Sequence, residues 1–355
     1  MNIGRKLPIR FPTWPMVAAI AAVMVLQQSC VPAMPVWSPT PLTPTESRQI
    51  AQRGLPLHEL WRRGGLLISN SIMPAGVLAT EKHVFFVDYN LVRLQVLGAT
   101  TGQLEWQVAD LPNEHSLATD QERLFIAVNW NIQAYNLSDG KLLWRTPEEL
   151  PGHTTYRLYP MGKEIWAYST ESSFGKSEQV IRAYDVSDGT LKWQSRTGEA
   201  DNTYMVFRSP SVDYWSNSDS LWAIDRSSNK TLWQIKTTSP ASLWPILTDS
   251  TIILSGRQFW GAPAELYALD ARAGATLWKY AAKCLSNFVM SNNTIYAITE
   301  STALVGLDPR TGQEKGYITF TTIKAEDNTQ YWVAAAGDKV FAYFGDSQEL
   351  IAFAQ

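Results

Sequence analysis

Short runs of alternating apolar and polar residues make up most of this chain, and turn-forming residues separate them. Residues 242–280 contain four such runs: Ser242–Thr248, Thr251–Ser255, Glu265–Asp270 and Thr276–Tyr280. Asp249-Ser250 and Ala271–Gly274 lie between them and are residue types that favour tight turns. Runs of this length and pattern predict β-strands joined by hairpins.

A repeated motif groups these strands into larger units. Its pattern is Ala-x-(Asp/Asn)-x-x-x-(Gly/Asn)-x-x-x-Trp. It occurs in Ala134–Trp144, Ala183–Trp193, Ala223–Trp233, Ala268–Trp278 and, with Val and Gly at its first two defined positions, Val96–Trp106. A sixth copy, 306–316, has Gly316 in place of the tryptophan. The seventh is divided between the chain ends, because Glu349–Gln355 carries its front half and His58–Trp61 its back half.

The spacing of these copies predicts the fold class. A period of about 42 residues belongs to propeller blades of four antiparallel strands. We therefore expect an all-β, seven-bladed β-propeller over residues 58–355. Completing the seventh repeat requires the strand around Trp61 to pair with the strand around Ile351, which closes the ring and removes two open sheet faces.

Each defined position of the motif has a predicted structural role. The Asp or Asn accepts hydrogen bonds from the turn amides, and the Gly that follows takes a left-handed conformation, which Asn229 also tolerates. The tryptophan packs between neighbouring blades while its indole N–H finds a carbonyl partner. These docking tryptophans are Trp61, Trp106, Trp144, Trp193, Trp233 and Trp278. Trp193 and Trp278 are expected to be nearly fully buried.

Composition narrows the functional classes. The chain has 355 residues and a formal net charge of −3, and its lysines and arginines are scattered along the sequence. No large basic field exists to attract nucleic acid, so a nucleic-acid partner is not expected. The repeats leave no room for a second domain, and we expect a monomer.

Residues 1–30 differ from the rest and have the order of a secretory signal. Arg5, Lys6 and Arg10 precede an apolar run, Met16–Leu26, which is too short to span a bilayer as a helix. The run ends before Cys30, and Ser29-Cys30 resembles the lipobox of bacterial lipoproteins, with Gln27 where that pattern has Leu. We expect Cys30 to be lipidated and the protein to be exported and anchored on the extracytoplasmic side of a membrane. An ordinary cleaved signal and an uncleaved anchor are the alternatives.

Residues 31–57 are predicted to be a proline-rich linker. Six prolines hold this segment extended, and one short helix is expected between an N-cap at Thr43 and a stop at Gly54. The remaining cysteine, Cys284, stands alone in the propeller sequence, so a disulfide framework is excluded and a small buried apolar role is expected.

The segments Leu266–Trp278 and Ala183–Trp193 look like the pyrroloquinoline-quinone (PQQ) type propeller repeat, and the resemblance covers residues 58–355. This repeat occurs in quinoprotein dehydrogenases and in non-enzymatic lipoproteins of the outer-membrane assembly (BamB) group. The dehydrogenase resemblance would imply eight blades, adjacent cysteines over the quinone and a calcium ion held by Glu, Asn and Asp. This chain has no adjacent cysteines, so it resembles the BamB group more closely, and neither a cofactor nor a metal ion is expected.

The sequence offers no catalytic residues, and the predicted site is a binding surface. The four histidines are not at metal-ligand spacings. The loops that enter adjacent blades and the longest loop insertions should open on one face of the ring, and exposed aromatics beside cations are typical of recognition sites. This candidate loop face comprises His115, His153, Phe174, Lys176, Arg257, Phe259 and Trp260. Two interpretations without a binding role stay open: the histidines are simply solvated, and Phe259 and Trp260 fold back over the blade edge.

These observations predict a non-catalytic, exported, membrane-tethered propeller that binds a protein or another cell-envelope component. Two alternatives from other classes remain: an enzyme with its site at the mouth of the central channel (a hydrolase, lyase or quinoprotein) and a carbohydrate-binding module. Ionisable groups that converge at the channel mouth would favour the enzyme. The fold alone does not decide among them.

Overall fold

The computed structural model describes residues 49–68, 72–73, 76–88, 91–109, 111, 115–128, 131–147, 153–173, 176–199, 204–217, 220–236, 245–248, 250–256, 264–320 and 330–355. These residues form strands and turns, and they include no helix that is long and apolar enough to cross a membrane. All of them lie within one compact unit, residues 44–355. Cys30 and the rest of the predicted signal lie outside the described residues.

The strands fall into seven sheets, and from β4 onward they follow chain order. The first three strands are β1 (Gln49–Arg53), β2 (His58–Arg63) and β3 (Ile72–Met73). Blades one to three are β4 (Val77–Ala79), β5 (His83–Asp88), β6 (Arg93–Gly98), β7 (Leu104–Val108); β8 (His115–Thr119), β9 (Arg123–Val128), β10 (Asn131–Asn136), β11 (Leu142–Arg145); β12 (His153–Met161), β13 (Glu164–Ser173), β14 (Lys176–Asp185), β15 (Leu191–Glu199). Blades four and five are β16 (Tyr204–Arg208), β17 (Val212–Ser216), β18 (Ser220–Asp225), β19 (Lys230–Lys236); β20 (Ile246–Leu247), β21 (Thr251–Gly256), β22 (Glu265–Asp270), β23 (Thr276–Lys279). Blades six and seven are β24 (Cys284–Ser291), β25 (Thr294–Thr299), β26 (Ala303–Leu307), β27 (Glu314–Phe320); β28 (Tyr331–Ala336), β29 (Lys339–Phe344), β30 (Glu349–Ala354).

The seven-bladed all-β propeller is confirmed. Each blade is an antiparallel meander of four strands, and β2 completes blade seven by pairing with β30. First strands of neighbouring blades contact one another, as β8 does with β12 and β28 does with β4, so they line the centre of the ring. The ring is held together by seven apolar clusters, one between each pair of adjacent blades.

Closure follows the predicted register. Trp61 lies opposite Ala352, and Arg62 lies opposite Ile351. An ion pair supports the ladder, with Arg62 Nη1 3.3 Å from Oε1 of Glu349, whose side chain is buried. Removing one partner of this ion pair would leave the other charge buried and uncompensated. The contact therefore helps to hold the two chain ends together.

The first strand corrects the prediction of a helix before Gly54, because residues Gln49–Arg53 form β1 and pair antiparallel with β27, the outer strand of blade six. The reason for this difference is a tertiary contact between this segment and blade six. A side chain at Gly316 would collide with the main chain of Arg53 and Gly54, and one at Gly54 would collide with Lys315. The glycine that replaces the sixth tryptophan thus makes room for the incoming chain, and β27 offers an edge whose hydrogen bonds outweigh the local capping signals.

A second short strand, β3, adds to the innermost strand of blade two. β3 pairs in parallel with β8, next to the channel side of blade two, with Ile72 opposite His115. The same inter-blade segment is fixed to blade seven, because the hydroxyl of Tyr343 donates to the carbonyl of Leu66 at 2.9 Å. Gly76 lies so close to the indole of Trp332 that a side chain there would clash. The described residues between β2 and β4 therefore contact blades seven and two.

Five tryptophans dock on the following blade in the same way. The indole N–H donates to a main-chain carbonyl of that blade at 2.9 to 3.1 Å, in the pairs Trp61 to Ala99, Trp106 to Leu137, Trp144 to Val186, Trp233 to Ala271 and Trp278 to Pro309. In each case the ring also lies against the motif glycine of that blade, Gly102, Gly140, Gly189, Gly274 or Gly312. The glycine thus provides both a left-handed turn, with φ of 66° to 73°, and the space for the ring.

Trp193 departs from this geometry, and the expectation that it is nearly fully buried is wrong. Its side chain is partly exposed, and its indole N–H donates at 3.3 Å to the carboxylate of Glu164 in its own blade. The ring packs edge-on against Trp166, with centroids 5.0 Å apart. The following blade has Asn229 at the motif glycine, which keeps a left-handed φ of 54° but carries a side chain where the other rings lie.

Candidate functional site

The structure places the main chain of three of the predicted loop-face residues. His115 and His153 are the first residues of β8 and β12, the innermost strands of adjacent blades, so both lie at the same face of the ring. Lys176 is the first residue of β14 and lies opposite Ser173. Phe174, Arg257, Phe259 and Trp260 lie outside the described residues.

Blade three has the longest middle strands among the described residues. β13 and β14 contain 10 residues each and pair from Glu164 opposite Asp185 to Ser173 opposite Lys176. The middle strands of blade two, β9 and β10, contain 6 residues each. At about 3.3 Å per residue, the hairpin therefore extends roughly 13 Å farther than its neighbour. Residues 171–173 and 176–178, where the sequence predicts part of a loop insertion, are therefore strand residues that lengthen the sheet.

A charged cluster fixes the base of this extension. The guanidinium of Arg182 on β14 pairs with Glu171 on β13 and donates to Oγ of Ser169 at 3.0 Å. Arg196 on β15 places its Nη1 2.6 Å from the other carboxylate oxygen of Glu171. Glu171 and Arg182 are largely buried, and hydrogen-bonded ion pairs at low dielectric resist rearrangement. Three of the four strands are thereby locked to one another at this height.

Blade one presents an apolar turn on the same face, which sequence reasoning missed. Leu91 and Val92, between β5 and β6, are 50% and 38% exposed. Val92 has a φ of 49°, and the amide of Leu111 donates to its carbonyl at 3.2 Å. A β-branched residue in the left-handed region is strained by about 1–3 kcal/mol, and such strain clusters at functional sites. The signal that could have revealed this feature was the apolar Leu-Val pair within a turn.

The channel-side end of blade seven carries a perturbed carboxyl group. Burial raises the pKa of Asp346 above its ordinary value, although the amide of Ser347 donates to it at 2.9 Å and lowers the pKa in part. Burial, and then the neighbouring Asp346 carboxylate, raise the pKa of Tyr331. Within the described part of the chain, no group of three or more His, Cys, Asp and Glu side chains is arranged to hold a metal ion. Cys284 is buried at the start of β24.

Comparisons with known proteins agree with this architecture. The sequence profile of the family described as outer membrane protein assembly factor BamB matches residues 90–218 and 214–355. A curated relative, the outer membrane protein assembly factor BamB of Yersinia pestis, is 22% identical over 255 residues. That alignment covers 70% of this chain and 54% of the relative, so the chain spans about half the length of the curated protein it matches.

Two solved structures superpose on most of this chain, and the second has a TM-score high enough to indicate a similar fold. The crystal structure of BamB from Moraxella catarrhalis superposes with a TM-score of 0.49 at 12% identity and covers 87% of this chain and 100% of its own. The computationally designed Ika8 protein superposes with a TM-score of 0.56 at 9% identity, covering 84% of this chain and 98% of its own.

Proposed function

The chain belongs to the family of the outer membrane protein assembly factor BamB, and we propose that it is a non-catalytic, protein-binding scaffold that takes part in the assembly of outer-membrane proteins. The observation that carries the proposal is the family match, which spans residues 90–218 and 214–355 and hence most of the propeller. The motif residues support it, because the tryptophans, glycines and aspartates of the repeat all serve packing and turn formation.

The binding surface proposed here is the loop face. It combines His115, His153, Phe174, Lys176, Arg257, Phe259 and Trp260 with the exposed Leu91-Val92 turn. Two physical features favour this face over the other: the ordered projection of blade three and the strained apolar turn of blade one. Rigid scaffolds that present apolar side chains on loops are typical of protein recognition.

The proposed location is the extracytoplasmic side of a membrane. Residues 1–30 would direct export, Cys30 would carry the lipid, and the proline-rich segment 31–57 would connect the lipid to the propeller before its own strand β1 joins blade six. The partner is a protein of the envelope, the protein itself is a monomer, and no nucleic acid or cofactor takes part.

Affinity purification of the full-length protein from its own membranes in mild detergent tests this proposal. We expect proteins of the outer-membrane assembly apparatus to co-purify in stoichiometric amounts, and the purified protein to be unable to oxidise alcohols or sugars with added PQQ. Recovery of the protein alone, or stoichiometric binding of PQQ in a titration, would contradict it.

A further inference from the structure

The outer strands of the blades differ in how far they continue past the motif tryptophan position. In four blades the outer strand ends one or two residues after the tryptophan, at Arg63, Val108, Arg145 or Lys279. β27 continues from Gly316 to Phe320, and β15 continues from Trp193 to Glu199. Blades six and three thus carry the long outer edges of the described ring.

The long edge of blade six is covered by the chain itself. β1 pairs antiparallel with its terminal part, with Arg53 opposite Tyr317 and Gln49 opposite Phe320. The sixth sheet therefore has five strands, in the order β1, β27, β26, β25 and β24. A blade of this protein accepts a fifth strand along the segment that follows the tryptophan position.

The equivalent segment of blade three is Gln194–Thr197. All outer strands share a register shift just before the motif tryptophan position. After this shift, β15 pairs with β14 without interruption, from Trp193 opposite Ala183 to Thr197 opposite Gln179. The repeat therefore aligns Gln194 with Tyr317 and Thr197 with Phe320. Within the described residues, β14 is the one strand that pairs with β15, because the third sheet has the order β12, β13, β14 and β15.

The direction of the main-chain groups follows from the other blades. Two residues after the tryptophan, the amides of Thr146 and Tyr280 donate inward, to the carbonyls of Ile132 and Leu266. Because the groups of successive residues in an antiparallel strand point to alternate sides, the residue directly after the tryptophan points its N–H and C=O outward. In β15 that residue is Gln194, and Arg196 has the same orientation.

The edge is also accessible and already ordered. The side chains of Gln194, Ser195 and Arg196 are exposed, and Glu171 holds Arg196 so that β15 keeps its place beside the long hairpin. Long, uncovered sheet edges tend to pair with other strands, and proteins usually shorten or cover them. Within the described residues, the outer edge is short in blades one, two, five and seven and covered in blade six, whereas blade three has a long edge that no described strand covers.

We propose that β15 binds an extended segment of a partner protein as a fifth, antiparallel strand along Gln194–Thr197, in the way that β1 covers β27. The inference rests on the proposed function, since it assigns part of the partner contact to this edge. Main-chain hydrogen bonds supply the affinity. The exposed polar side chains of Gln194 and Ser195 favour a partner strand with polar side chains.

The test compares two matched proline variants of the full-length protein in the co-purification experiment. Gln194→Pro removes an outward N–H at the proposed edge and leaves the hydrogen bonds to β14 intact, because proline is tolerated where an edge N–H faces solvent. Gln107→Pro makes the same change at the equivalent position of β7, which ends at Val108. We expect Gln194→Pro to reduce partner recovery at least tenfold and Gln107→Pro to leave it unchanged, with both variants melting as cooperatively as the wild type.

Hydrogen exchange of the wild-type protein gives an independent readout if Gln194→Pro fails to fold. The outward amides of Gln194 and Arg196 should exchange more slowly in the co-purified complex than in the protein alone. Partner recovery with no added protection of these two amides would overturn this inference while the proposed function stands. Failure to recover any partner would overturn both, and protection that arises from a dimer of this chain, seen by sedimentation, would assign the edge to a second copy and also contradict the proposal.

Discussion

The ring of Trp278 lies against Gly312 of the next blade so closely that a Cβ atom at Gly312 would come within 2.5 Å of it. Four other tryptophan-glycine pairs repeat this contact. Blade four has Asn229 at this position, with a φ of 54°. Asn229 follows Trp193, whose indole donates within its own blade and does not dock there. The left-handed turn also forms without glycine, so its conformation alone does not require this residue. Glycine is present where the ring of a docking tryptophan needs the space.

This relationship predicts that Gly312→Ala destabilises the protein more than Gly162→Ala. Both glycines have a φ of 69°, so each alanine incurs the same left-handed strain of roughly 1–2 kcal/mol. At Gly162 nothing lies within 4 Å of the added Cβ, whereas at Gly312 it meets the Trp278 ring. Denaturant titration should place the Gly312 variant clearly below the Gly162 variant in free energy of unfolding. Equal losses would show that the ring moves aside without cost.

The tryptophans should likewise differ in their contribution to stability. Trp278→Ala removes a buried ring and its hydrogen bond to Pro309 and is expected to cost about 3–5 kcal/mol. Trp193→Ala removes a partly exposed ring that packs within its own blade, so its cost should be smaller. Urea titrations of the two variants give the comparison directly. A larger loss for the Trp193 variant would mean that this ring, too, carries an inter-blade contact.

Sequence reasoning predicted the ring well because a repeated motif encodes it many times, and the split copy at Trp61 and Ile351 defines its closure. Single residues that differ from the repeated motif carried further information, which sequence reasoning did not use. Asn229 marks the blade against which Trp193 does not dock, and Gly316 marks the place where β1 crosses. The helix prediction failed because local capping signals before Gly54 compete with a sheet edge that is distant in sequence. The long edge of β15 has no local signature, since it arises from pairing with an extended β14.

Restoring the missing tryptophan should detach the first strand. Gly316→Trp places a side chain in the volume that the main chain of Arg53 and Gly54 occupies, so β1 can no longer lie on β27. We expect trypsin to cleave the folded variant after Arg53 much faster than the wild-type protein. Gly162→Trp, at a turn open to solvent, is the control and should leave this cleavage unchanged. Continued protection of Arg53 in the Gly316 variant would refute the crossing.

Membrane retention is expected to depend on Cys30. The segment that follows it is rich in proline and has no second apolar run, so lipid on this residue would be the attachment. Cys30→Ala should leave the propeller folded and yield either a soluble exported protein or an unprocessed precursor. Fractionation and mass spectrometry of the mature N-terminus measure this. A wild-type protein that retains Met1 in the membrane would identify an uncleaved anchor instead.

Acidification should destabilise the protein in part through His83. Burial lowers the pKa of this side chain below 6.5, and Lys82 adds to the shift, although the carboxylate of Glu105 lies 3.1 Å from Nε2 and opposes it. The folded state therefore binds fewer protons than the unfolded state just below pH 6.5. The contribution of His83 to stability is fully present above that pH and is lost as the pH falls through the folded pKa. Replacing His83 by Gln, which keeps a polar group but does not titrate, should reduce the drop in the free energy of unfolding between pH 7.5 and 5.5. An identical pH dependence in the variant and the wild type would show that His83 titrates alike in both states.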